Sequence, residues 1–67
     1  MNINAELDRH QQRLAEVTEY REVYHAVGQD TCARVMDDEI KLLKKLIARL
    51  MAERAQAQIA ARKEGER

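Results

Sequence analysis

From Ile3 onward the apolar residues recur every three or four positions: Ile3, Leu7, Leu14, Val17, Tyr20, Tyr24 and Val27, with His10 filling the gap after Leu7. That spacing lays one stripe along a helix. Glu6, Asp8, Arg9, Gln12, Arg13, Glu16, Glu19 and Glu22 fall between and form its solvated side. Asn2 or Asn4 is placed to cap the start, and Glu6 and Asp8 lie near the positive helix end. The pattern predicts a first helix over about residues 3–27.

Gly28 is the first of only two glycines, Gly65 being the other. A glycine at the end of a periodic run supplies the left-handed cap that other residues resist. Asp30 or Thr31 then offers an oxygen to cap a second helix. A second stripe follows: Cys32, Met36, Ile40, Leu43, Ile47 and Leu50, continued by Arg54, Ala57 and Ala61 and widened by Leu46 and Met51. Its alternating steps of four and three are heptad-like. The expectation is a turn at 28–30 and a second helix over about 31–63, ending in a fraying Arg-Lys-Glu-Gly-Glu-Arg tail.

A connection this short makes the helices antiparallel neighbours. Folding at residue 29 sets Val27 against Cys32, Tyr24 against Val35 or Met36, Tyr20 against Ile40, Val17 against Leu43, Leu14 against Ile47, and Leu7 against Met51. The fold class is therefore all-α, a single antiparallel helical hairpin with coiled-coil character. The helices are unequal, about 37 and 50 Å long at ~1.5 Å per residue, so the stretch after Ala55 overhangs.

Composition adds a problem of size. A chain of 67 residues makes one small domain, and such domains are marginal without disulfides, a metal or oligomerisation. Cys32 has no internal partner. Val23, Val35, Leu42, Leu46 and Met51 flank the stripes and stay uncovered in a lone hairpin, as apolar rows at interfaces do. Val35, Leu42, Leu46 and Met51 are accordingly expected to form a homodimer interface, giving a four-helix bundle.

Charge narrows the partner. Lys plus Arg equals Asp plus Glu, without the basic excess that marks nucleic-acid binders. No apolar run approaches the ~20 residues that span a bilayer, and Met1–Glu6 lacks the character of a signal peptide. The lone cysteine fits a reducing, cytoplasmic setting.

Few residues suggest chemistry. His10 reads as packed at the seam, with no second ligand at i+3 or i+4. His25, Asp30 and Cys32 flank the turn without a recognised metal spacing. Cys32 reads as a small apolar plug rather than a reactive thiol. Asp37, Asp38 and Glu39 complement the helix dipole and point in different directions. With no phosphate loop, nucleophile–base pair or metalloprotease motif, no enzyme, catalytic residue, cofactor or metal is expected.

Recognition is the remaining function. Tyr20, Arg21 and Tyr24 combine area with polar tips, as hot spots do, although both tyrosines serve equally as core. Lys41, Lys44, Lys45 and Arg49, with Leu42 beside them, suit an acidic protein surface, or else form a solvated face. The expected function is a small regulator that inhibits or modulates a larger protein, with Tyr20, Arg21, Tyr24, Lys41, Leu42, Lys45 and Arg49 in contact. The alternatives are an RNA-binding four-helix dimer, like the small bundles that regulate plasmid copy number, and a structural adaptor subunit.

In size, in the Val27-Gly28-Gln29-Asp30 turn and in the flanking stripes, the chain from Ile3 to about Ala61 resembles the two-helix proteins that temperate phages encode against host regulators, quorum-sensing anti-activators included. The resemblance implies a host transcription factor or motor ATPase as target.

Overall fold

A computed structural model describes residues 2–65, with side chains described through Arg62. Two helices, α1 (Ile3–Ala26) and α2 (Asp30–Gly65), lie antiparallel along each other in a rod about 60 Å long and 16 Å wide. Their 24 and 36 residues leave the end of α2 projecting past the start of α1.

Each end of α1 closes by a local device. Asn2 is the N-cap, and its side-chain oxygen accepts the Asn4 N–H at 3.0 Å. At the other end Gly28 adopts φ +79°. The Gln29 N–H donates to the Tyr24 carbonyl at 2.8 Å and the Gly28 N–H to that of His25 at 3.2 Å. This double closure is the Schellman arrangement, which needs a left-handed residue at Gly28.

The turn is shorter at its far side than the sequence suggests. Asp30 is already helical, and Gln29 leads into α2 by accepting the Ala33 N–H on its carbonyl at 3.1 Å. Asp30 instead approaches the His25 imidazole, Oδ1 to Nδ1 at 3.8 Å. At the far end α2 continues to Gly65 rather than 63. Of the tail expected to fray, residues 62–65 are helical, and Glu66 and Arg67 lie outside the described residues.

Register follows from two cross-helix contacts. Arg21 bonds Asp37, and the Arg54 guanidinium donates to the Asn4 side-chain oxygen at 3.2 Å. Both pairs are equidistant along the chain from Gln29. The seam between the helices buries Leu7, Val17, Ala33, Leu43 and Ile47. Ile3, His10, Leu14 and Tyr24 on α1, and Met36, Ile40 and Leu50 on α2, are half-buried beside them.

Two expected seam residues are elsewhere. Tyr20 is 50% exposed and Val27 66%. The strict four–three rhythm Leu7, His10, Leu14, Val17 reaches Arg21 next, and then Tyr24. Arg21 thus takes the position facing α2, and Tyr20 turns to the flank. Val35 is 56% exposed, as expected of a residue on the uncovered flank, and Met36 is half-buried. Ala33, absent from the expected stripe, is buried four residues after Gln29.

Candidate protein-interaction site

Helical periodicity and one ion pair divide the rod into two unlike sides. Arg13 Nε donates to Glu39 Oε1 at 2.9 Å. On α1, Arg13, Glu16, Tyr20, Val23 and Val27 follow one another by alternate steps of three and four. On α2, Val35, Glu39, Leu42 and Leu46 do the same. Residues at these spacings share a helix face. The Arg13–Glu39 bridge therefore sets both rows on one side of the hairpin.

That side is apolar toward the turn. Tyr20, Val23, Val27, Val35 and Leu42 are all exposed there, Leu42 to 58%, and Leu46 is half-buried. Val23 and Val35 stand equally far from Gln29, one on each helix. Toward the other end the same side turns polar, with Arg13, Arg9 and Glu6 on α1 and the Arg49–Glu53 pair on α2.

The opposite side is marked by the Arg21–Asp37 bond. Leu14, Thr18, Arg21, Asp37, Ile40 and Lys44 line a shallow groove there. The Thr18 hydroxyl donates back to the Leu14 carbonyl at 2.7 Å, and so turns its polarity into its own helix. Only Leu14 and Ile40 are apolar among these residues.

Electrostatics are those of a solvated surface. Glu39 raises the Arg13 pKa above its ordinary value, chiefly through the hydrogen bond and then by Coulomb attraction, with Glu16 adding less at 3.5 Å. At the tip the Cys32 thiol donates to Gln29 Oε1 at 3.5 Å. Among the described residues no three His, Cys, Asp or Glu side chains converge as metal ligands would. No helix among them is long and apolar enough to cross a membrane.

No family model, curated protein or solved structure matches this chain. Its surface is therefore read from its own residues. The structure scatters the seven expected partner-contact residues around the rod. Tyr20 and Leu42 share the apolar side, and half-buried Tyr24 lies at the seam. Arg21 is engaged with Asp37 across the helices, Lys41 and Lys45 face solvent on α2, and Arg49 pairs with Glu53 at 3.5 Å.

The expected dimer-interface residues divide as well. Val35, Leu42 and Leu46 lie together, but Met51, seven residues after Lys44, falls on the Lys44 side. The sequence groups Val23 with Val35 among the uncovered flank residues but sets Tyr20 and Val27 on the seam stripe, and both prove to be exposed. The signal is present, since Tyr20, Val23 and Val27 are spaced three and four apart.

Proposed function

We propose that this chain is a small non-catalytic regulator that binds a larger protein, such as a transcriptional activator, as a homodimer of two hairpins in a four-helix bundle. The observation that carries the proposal is the exposed apolar side from Val27 to Leu42. Five large apolar side chains on one side of so thin a rod are an interface signature. The small buried seam supports the same reading, because a chain of this size gains much of its stability by association.

The larger partner is inferred from what self-association leaves open. Lys41 and Lys45 project to solvent on the outer side of α2 and suit an acidic protein surface. The zero formal charge of the chain weighs against a nucleic-acid backbone, whose binding draws on a basic excess.

Light scattering on the purified chain, with and without reductant, tests the first half. A mass twice 7.8 kDa, unchanged by reductant, supports the noncovalent dimer. The second half needs direct titration of the purified chain against each purified protein that it captures. Absence of saturable binding below roughly 100 µM for all of them would remove the regulator assignment.

A further inference from the structure

Resting on the self-association proposed above, we infer that the second copy docks on the turn-proximal half of the Arg13–Glu39 side and leaves the rest of the rod uncovered. The apolar side chains are confined to that half. Val27 is two residues from Gln29 and Leu42 thirteen, a span of about 17 Å along the helix axes. Beyond it the same side carries Arg9, Glu6 and the Arg49–Glu53 pair. Covering those charges would cost desolvation without an apolar return.

The occupant follows from the shape and charge of the patch. Val23 and Val35 are level with each other on the two helices, so the apolar strip crosses both without a step. A copy related by a two-fold axis presents the same strip, which is the self-complementarity an isologous contact requires. The charges bordering the strip are already engaged within the hairpin, the Arg13 guanidinium bridging Glu39 at 2.9 Å and Glu16 at 3.5 Å, so the charged border lies beside the strip and not within it. The opposite side, with Arg21, Asp37, Thr18 and Lys44, offers no such strip.

Area sets the strength. A strip about 17 Å long across a rod 16 Å wide covers roughly 270 Å² of each copy, well below the ~800 Å² per partner of a standard specific interface. A contact this small is expected to hold with micromolar or weaker affinity, so that the melting temperature rises with concentration.

Sedimentation equilibrium on the full chain from about 5 to 200 µM brackets such an affinity. The variants are Val35→Glu and Leu42→Glu, with Ile59→Glu as an exposed apolar position outside the strip. Each strip variant is expected to weaken dimerisation at least ~30-fold, as hot-spot loss does. The Ile59 variant stays within about 3-fold. Should circular dichroism show a strip variant unfolded, Val35→Ala and Leu42→Ala replace it, with the dissociation constant raised several-fold. Dimers that tolerate the strip variants but break with Ile59→Glu would overturn the assignment of the face and leave self-association standing. A single-chain mass for the unmodified protein at every concentration would overturn both.

Discussion

Arg13 and Glu39, 26 positions apart in the chain, meet at 2.9 Å on the side of the hairpin that also carries Tyr20, Val23, Val27, Val35 and Leu42. The pair borders the apolar strip, and Glu16 approaches the same guanidinium at 3.5 Å. The Arg13 side chain is 47% exposed and that of Glu39 32%, so solvent reaches the pair, and such ion pairs contribute little to stability. Arg13→Gln is therefore expected to move the urea midpoint by an amount near the detection limit, and raising the salt should erase even that. A large, salt-resistant loss would show that the pair organises the hairpin.

Val17 is 0% exposed, the most enclosed side chain of the seam. Val17→Ala removes two methyl groups from that site and leaves a void, at a cost of about 2 kcal/mol. Val35→Ala, on the exposed strip, should change the stability of dilute monomer by less than about 0.5 kcal/mol. Chemical denaturation at low protein concentration separates the two. Equal losses would contradict the burial pattern.

Gly28 holds φ +79°, and a Cβ built there meets nothing within 4 Å. The penalty for Gly28→Ala is thus conformational rather than steric, and should be about 1–2 kcal/mol. Asn, which tolerates the left-handed region better, should lose less. Thermal melts of the two variants check the order, and Ala proving milder than Asn would count against the left-handed cap.

The two tyrosines should respond differently. Tyr24 is half-buried at the seam, so Tyr24→Ala is expected to destabilise dilute protein by roughly 1–3 kcal/mol. Tyr20 is exposed, and Tyr20→Ala should be worth less than about 0.5 kcal/mol there while weakening self-association. Unfolding and sedimentation on the same samples distinguish the roles. The reverse order would restore Tyr20 to the seam.

α2 continues eleven residues beyond Arg54, the residue that contacts Asn4. An isolated helix that short is marginal in water. Ending the chain after Arg54 should lower helical ellipticity yet leave the unfolding free energy within about 0.5 kcal/mol. Amide exchange in the full chain should show fast exchange there. Strong protection in dimer samples would mean that association also covers the overhang.

The two helices, the Gly28 turn and the antiparallel pairing about residue 29 were all legible in the sequence. Each rests on a local signal: a 3.6-residue period, a glycine that alone reaches positive φ without strain, and a connection too short for any other path. The caps were half legible. Asn2 acts as expected, but Asp30 enters the helix because the Schellman closure already places Gln29 at its start. The tertiary structure decided the rest, because facing is a property of two helices and not of one stripe. Tyr20 and Arg21 are adjacent in sequence, and only packing against α2 shows that Arg21 turns toward the seam and Tyr20 away from it. Likewise Val23 and Val35 belong to separate stripes until the Arg13–Glu39 bridge places them on one side. Met51 was grouped with Val35 and Leu42 by hydrophobicity, and the rotation of α2 carries it to the other side. Periodicity determined which residues are apolar on each helix, and the geometry of the pair determined which of them remain open to a partner.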